Sequence, residues 1–433
     1  MKKLEKATVR VELRVWLPLL WLFLLLLAAF LLPDRVWNTL LIGFGGLFAI
    51  AYVWARQLAR ELHGERRLRF GWVAVGDQLE EQFTLHNEGA LPALWVEVLD
   101  NATVPGYQAA VVQSVGGNQT VRWRKTAVCQ QRGQFTLGPW TLRSGDPFGI
   151  FIVTHHYPIS SEIIIHPPIH SQLPIALPAG QSSGQARMRR QAWQATINAS
   201  TVRSYQPQDP LRWIHWPTSA HREALYVRQF DQDAAGDIWL LLDVQTAVQL
   251  GSGADSSEEH AILLAAALVA RAIGQNRAIG LASYGQPPQI IAPGSGQGQQ
   301  WKLLRALALS QANGTLPLLQ AMGDLAHIAQ QGAAAIIITA SNTLDWLPQL
   351  LTLARSGIES TLVLLDRPSF GGQGNSAEIQ TAVHRLGFQA QIVRRGDLGQ
   401  PPQPEQPRGF WEFRTTPSGG TIVVRSPLTD HAA

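Results

Sequence analysis

At 433 residues the chain has room for two or three domains and a sizeable core, and 46% hydrophobic residues with a mean hydropathy near zero exclude both a disordered chain and one made mostly of membrane spans. The formal charge of +4 is the small difference between 35 basic and 31 acidic side chains, with no Lys/Arg-rich tract outside the N-terminal region, so nothing in it points to nucleic acid. One cysteine, Cys129, has no partner for an internal disulfide, which fits a reducing compartment.

The first elements are apolar. Val15 to Leu32 carries no charge, Pro33-Asp34-Arg35 interrupts it, and Val36 to Trp54 is again uncharged. Each run is close to the ~20 residues that span a bilayer. A cleaved signal peptide would need a small-residue cleavage site after the first run, and a second apolar run follows instead. Lys2, Lys3, Lys6, Arg10 and Arg14 precede the pair, and Arg56, Arg60, Arg66, Arg67 and Arg69 follow it. Trp16, Trp21, Trp37 and Trp54 lie near the ends of the runs. The pattern predicts a two-helix transmembrane hairpin over residues 1–55 in the inner or plasma membrane, with both ends and the remaining domains cytoplasmic.

From 68 to 165 short β-type runs alternate with turn residues, which predicts a small β-sandwich-like domain. Within it Asp146-Pro147-Phe148-Gly149 reads as a turn, with Asp-Pro opening it, Phe148 burying and Gly149 closing it. Pro167, Pro168, Pro174, Pro178 and the Gly180 to Gln185 run mark residues 166–201 as a linker.

The next stretch, 202–233, is the densest in polar and aromatic groups. Arg203, Asp209, Arg212, His215, Arg222, Arg228 and Asp231 lie among Tyr205, Trp213, Trp216, Tyr226 and Phe230. Pro207, Pro210 and Pro217 deny it a long helix. Arginine forks and aromatic faces so close together make either a clasp between domains or a recognition surface.

Arg203-Ser204-Tyr205-Gln206-Pro207, Asp209-Pro210, Arg212, Ile214-His215-Trp216, Ser219-Ala220, Leu225 and Val227-Arg228-Gln229-Phe230 resemble, in order, the signature of the bacterial domain of unknown function 58 family. Gln208 stands where that pattern has glycine. Arg132-Gly133 through Pro139 and Ser144 through Gly149 resemble the same family's β-domain.

From 234 to 400 the chain alternates strand-like and helix-like segments, with 401–433 as a C-terminal extension. Buried-type runs ending at Asp243, Tyr284, Thr339, Leu365 and Val393 are separated by helical patterns, the first opened by the capping box Ser256-Ser257-Glu258-Glu259. This predicts an α/β doubly wound parallel sheet, with ligand sites at the strand carboxyl ends near Asp243, Ala340 and Asp366. The order resembles a von Willebrand factor A domain, as the family resemblance implies. That fold holds a divalent cation with D-x-S-x-S after the first strand, a later threonine and a further aspartate. Here Asp243-Val244-Gln245-Thr246-Ala247 keeps the aspartate and loses both serines, Thr315 stands for the threonine, and Thr339-Ala340-Ser341-Asn342 lacks the last aspartate. Hard cations want several oxygen ligands, so no cofactor or divalent cation is expected.

Gly180-Gln181-Ser182-Ser183-Gly184 matches a nucleophile elbow only by letter, with no strand before it, and Gly294 to Gly298 lacks the lysine of a phosphate loop. No nucleophile, base and orienting group assemble, so the expectation is a non-enzymatic, membrane-anchored scaffold or adaptor that binds protein partners. The resemblance implies a MoxR-type AAA+ ATPase as partner, in assembling or activating other proteins. The alternative is a hydrolase or metal-dependent enzyme centred on Asp209, His215 and Asp243.

Overall fold

The computed structural model describes residues 7–32, 34–68, 73–170, 175–178, 199–207, 211, 214–222, 224–230, 236–398, 412–415 and 421–425. The chain divides into two compact units, Met1–His166 with Gln403–Ala433, and Pro167–Pro402.

The first unit begins with β1 (Thr8–Leu13), followed by α1 (Leu17–Leu31) and α2 (Arg35–Glu61). Helix α1 is apolar throughout with a proline in its first turn, where a missing N–H costs nothing. Helix α2 starts at Asp34, whose carboxylate accepts from the Val36 amide at 3.3 Å. Most of α2 exposes apolar side chains such as Ile42, Phe44 and Ile50, whereas its last turns bury Ala51, Ala55 and Leu58. Among the described residues α2 is the one helix long and apolar enough to cross a membrane by length and composition; α1, at 15 residues, is shorter.

Strands follow at β2 (Leu62–Leu68), β3 (Val73–Ala74), β4 (Gln78–Asn87), β5 (Ala93–Asp100), β6 (Val111–Val115), β7 (Gln119–Val128), β8 (Gly133–Leu137), β9 (Trp140–Gly145), β10 (Phe151–Tyr157) and β11 (Ser161–His166). They form sheets in the orders β1-β10-β9-β5-β6, β2-β4-β7 and β3-β11-β8. The expected hairpin over residues 1–55 is therefore set into the β-rich unit on both sides. Strand β1 pairs with β10 from Thr8↔His156 to Leu13↔Phe151, and β2 continues α2 at once, so the β-rich part starts before 68. The sequence hid β1 because every residue in it is exposed, which leaves no buried face for alternation to mark. Phe48 and Tyr52 of α2 set their rings 5.3 and 5.7 Å from Phe151 of β10. Since β1 pairs with the same strand, α1 departs from and α2 returns to one end of this unit.

Two details hold that unit. Gly64 lets the sheet close on the stacked pair Trp140 and Tyr157, because a Cβ there would meet the Trp140 ring at 2.6 Å, and its amide donates to the Tyr157 hydroxyl at 2.8 Å. Arg66 lies in the core with its guanidinium 2.8 Å from both Glu81 and Asp100, all three side chains almost fully buried, and Tyr107 donates its hydroxyl to Glu81. Burial works against the guanidinium's charge, yet the two carboxylates raise its pKa above the ordinary value. The Asp146 turn forms as expected except for its phenylalanine. Asp146 is the buried member, accepting from the Phe148 and Phe151 amides at 2.8 and 2.5 Å, while Phe148 is 50% exposed.

The second unit starts with a segment expected to be a spacer. Its described part is packed: Ile175 is buried, its carbonyl accepts from Arg271, and the Pro178 carbonyl accepts from Arg277 at 2.6 Å. Strand β12 (Ala199–Ser204) then pairs antiparallel with β13 (Tyr226–Phe230), and α3 (Trp216–Arg222) lies between them in sequence. Beyond come β14 (Ile238–Leu242), α4 (Ser257–Gly274), β15 (Ile279–Ser283), β16 (Gln289–Gly294), α5 (Gln297–Leu309), α6 (Leu318–Ile328), β17 (Ala334–Thr339), α7 (Leu347–Arg355), β18 (Glu359–Leu365), α8 (Ser376–Arg385) and β19 (Gln389–Val393). They build a six-stranded sheet in the order β16-β15-β14-β17-β18-β19. Five strands run parallel, and β16 is an antiparallel edge strand that the expected all-parallel sheet did not include. Its half-exposed residues and Pro293 suit an edge, where one side of the ladder is unpaired.

Every residue of β14, β15 and β17 is buried, as in strands covered on both faces. Trp239, Leu241, Ala335 and Ile337 share one core with residues of α6, α7 and α8. Ser256 caps α4 by accepting from the Glu259 amide at 3.2 Å, the capping box read from sequence. A last antiparallel pair, β20 (Glu412–Thr415) and β21 (Thr421–Arg425), lies in the C-terminal extension.

Candidate functional site

Two neighbourhoods of the second unit hold the residues that the sequence singled out. The first is the β12–α3–β13 segment. Three prolines in its sequence leave only seven residues of helix, with Pro217 in the first turn. His215 stands just before that helix, its Nδ1 2.7 Å from the Thr218 hydroxyl and 3.3 Å from the Thr218 amide, so it works as a cap. Its own amide donates to the Tyr226 carbonyl at 2.8 Å. Ser219 is the hub: its hydroxyl donates to the His215 carbonyl at 3.0 Å and accepts from the Tyr226 amide at 2.9 Å, tying helix to strand. Ser219 is buried and bonded on both sides, which gives a physical reason for a small hydroxyl residue at that position, whereas Ala220 beside it is exposed. Ile214 and Val227 pair beneath it and are buried. The Tyr205 amide donates to the Leu225 carbonyl at 2.8 Å, and the Arg222 guanidinium sits 5.4 Å from the centre of the Tyr226 ring, lowering that phenol's pKa.

Against this bonded frame Trp216 is 65% exposed and Leu211 67% exposed, with Leu225 exposed as well. Asp209 and Arg212 lie outside the described residues, and so do the side chains of Arg203 and Arg228.

The second neighbourhood is the carboxyl-end rim of the large sheet. Asp243, one residue past β14, is buried; its Oδ2 accepts from the Thr339 hydroxyl at 2.6 Å and its Oδ1 from the Gln245 amide at 3.1 Å. Burial raises its pKa, and these two hydrogen bonds only partly oppose that. The Asp243 carbonyl accepts from Gln249 at 2.8 Å, and Gln245 bridges to Gly314. Thr315, next to Gly314, is exposed and makes none of the described hydrogen bonds to Asp243. Arg367 follows Asp366 beyond β18 and donates from Nη1 to the carbonyls of Val248 and Ala340 at 2.9 and 2.8 Å. Desolvation lowers its pKa from the ordinary value.

The rim therefore gathers Asp243, Ala340 and Arg367, while the Asp366 side chain approaches the exposed Arg394 at a long 3.8 Å. Both oxygens of Asp243 are engaged by the protein's own donors, and no group of three His, Cys, Asp or Glu residues suited to a metal exists among the described residues. Nor does any described hydrogen bond or ion pair join His215 to Asp243, whose partners are separate. Sequence reasoning missed Thr339, Gln249 and Arg367. Thr339 was within its reach: in adjacent parallel strands, residues one past matched positions lie side by side, and Asp243 follows a strand paired Leu242↔Ile338.

The fold and site define an α/β sheet protein with one antiparallel edge strand, preceded in the chain by a β-rich unit that carries two apolar helices. Residues 201–364 match the model of the family described as "Protein of unknown function DUF58". The chain is 21% identical over 352 residues to the Bacillus subtilis protein YeaD, covering 79% of this chain and 85% of the relative. It is 27% identical over 163 residues to the Mycobacterium tuberculosis protein Rv1480, covering 35% of this chain and 50% of that protein, so it spans about half the length of the mycobacterial relative. Among solved structures it is similar to a von Willebrand factor type A protein from Catenulispora acidiphila, at a TM-score of 0.27 and 11% identity, over 37% of this chain and 39% of that one.

Proposed function

We propose that this chain is a membrane-anchored scaffold that binds a protein partner through the β12–α3–β13 segment, the partner being a MoxR-type AAA+ ATPase acting in assembly or activation of other proteins. Helices α1 and α2 form a two-pass hairpin that holds the protein at the inner or plasma membrane, with both soluble units in the cytoplasm. The second unit is a doubly wound, von Willebrand factor A-like domain that presents its loops without a bound cation. The observation that carries the reading is the exposure of Trp216, 65%, with Leu211, 67%, on a segment whose backbone is bonded at His215, Ser219 and Tyr226. Large apolar side chains on a fixed frame fit a docking surface, because a rigid aromatic anchor loses little freedom on binding. Internal satisfaction of Asp243 supports binding over catalysis, since a carboxylate held by its neighbours is neither a free base nor an open ligand.

The test is capture of the ATPase from detergent extracts by the full chain and by Trp216→Ala. Lost capture at an unchanged melting midpoint supports the docking surface. Undiminished capture by the variant refutes it.

A further inference from the structure

On the outer face of the five-stranded sheet of the first unit lies an open hollow of ≈ 370 Å³ lined by Arg14, Trp95, Glu97, Val112, Arg143 and Ile152. The register explains its shape. Ile152 of β10 sits opposite Gly145 of β9, and Gly145 has no side chain to fill the space; a Cβ there would come within 3.0 Å of the Trp95 ring, which lies over that strand as a wall. One step along the sheet Arg143 sits opposite Glu97, their charged atoms 3.4 Å apart and both partly exposed. Arg14 closes the hollow from the other edge, its amide bonded to the Ile150 carbonyl at 2.8 Å and its side chain exposed, with no ion pair among the described residues. Two arginines against one glutamate leave the hollow with a net positive charge, and Trp95, Val112 and Ile152 give it an apolar wall.

Position decides what such a hollow suits. Arg14 is three residues before Leu17, where α1 begins, and Trp16 between them is 67% exposed. Phe148, 50% exposed at the tip of the β9–β10 turn, lies at the same end of the sheet. A tryptophan, an exposed phenylalanine and an arginine at the start of an apolar helix are the groups that settle at a membrane–water boundary. We infer that this hollow binds the phosphate-bearing headgroup of an anionic phospholipid, with Arg14 and Arg143 on the phosphate and Trp95 against the glycerol and upper acyl carbons. Guanidinium forks match phosphate oxygens in pairs, and Glu97 limits the affinity by competing for Arg143. The inference rests on α1 and α2 anchoring the chain, and it assigns to the β-rich unit a lipid contact separate from the partner surface.

The experiment is native mass spectrometry of the full chain in detergent, titrated with phosphatidylglycerol, with phosphatidylcholine and with inorganic phosphate. Expected is retention of phosphatidylglycerol over phosphatidylcholine, weakened about fivefold by Arg14→Gln or Arg143→Gln, the worth of one basic residue beside an anionic surface. Glu97→Gln should instead strengthen retention, and misfolding cannot produce these opposite directions together. Equal retention of both lipids, or retention indifferent to all three variants, overturns the inference. Binding of inorganic phosphate as tight as that of the lipid overturns its lipid part and leaves a phosphate site. Alkaline extraction of the wild-type chain from membranes reads the anchor separately: a chain that washes off refutes the anchor whatever the titration gives.

Discussion

The Thr339 hydroxyl donates to the buried Asp243 carboxylate at 2.6 Å, closing the carboxyl ends of β17 and β14 over each other. In turn the Ser341 amide donates to the Thr339 hydroxyl oxygen at 2.9 Å, so the carboxylate is part of a chain of bonds that engages each of its oxygens. This geometry bears on both cation binding and pH dependence.

Millimolar magnesium should leave the thermal midpoint of the chain unchanged, because a ligand held weakly relative to its concentration adds almost nothing to stability. Differential scanning with and without magnesium, on wild type and Asp243→Ala, checks it. A rise that vanishes in the variant would contradict the closed site. Asp243→Ala itself should cost about 1–3 kcal/mol by stranding the Thr339 and Gln245 donors.

The raised pKa of Asp243 gives a sign to the pH dependence. A buried acid whose folded pKa lies above its unfolded value favours the fold most when protonated, and that contribution is lost as pH rises through the folded pKa. Asp243→Asn cannot ionise, so its stability relative to wild type should improve as pH rises from the unfolded carboxylate range toward neutrality. Melting midpoints of the two proteins across that range read it out, and a constant offset would mean that Asp243 does not titrate differently in the fold.

His155 runs the other way. Its burial on β10, with His63 nearby, pushes its pKa down from 6.5 to about 4. The neutral ring then supports the fold above the unfolded pKa, and that support is lost as pH falls toward about 4. His155→Gln should flatten the acid side of the stability profile, measured by denaturant midpoints of the full chain in detergent. An equally steep loss in the variant would assign acid sensitivity to other groups.

Arg66→Ala should be the most damaging single change in the β-rich unit. It leaves Glu81 and Asp100 buried without their cation, a loss on the order of 3–5 kcal/mol. Arg66→Lys should recover only part of it, because an ammonium group lacks the fork that meets both carboxylates. Thermal midpoints rank the three proteins, and a variant within about 1 kcal/mol of wild type would show the cluster to be dispensable.

Reporter fusions test the membrane arrangement. A reporter joined at Ala433 should be active in the cytoplasm and silent outside, given the basic residues flanking α1 and α2. Activity only outside the cytoplasm would reverse the orientation.

The parallel strands of the α/β unit and the start of its first long helix are legible in the amino-acid sequence itself, because buried parallel strands read as continuous apolar runs and Ser256 with Glu259 announces the helix, whereas the half-exposed edge strand β16 is not. The apolar character of α1 and α2 is equally plain from composition. Tertiary structure alone decided the rest. Strand β1 has no buried face, so only its pairing with β10 reveals it, and with it the attachment of both helices to one end of the unit. Sequence placed Asp243 at a strand end; only the register of β14 with β17 brings Thr339 to its carboxylate and shows it satisfied. Phe148 and Trp216 are visible as aromatics, but whether an aromatic anchors a core or faces outward depends on what packs over it, and one-dimensional spacing does not carry that information.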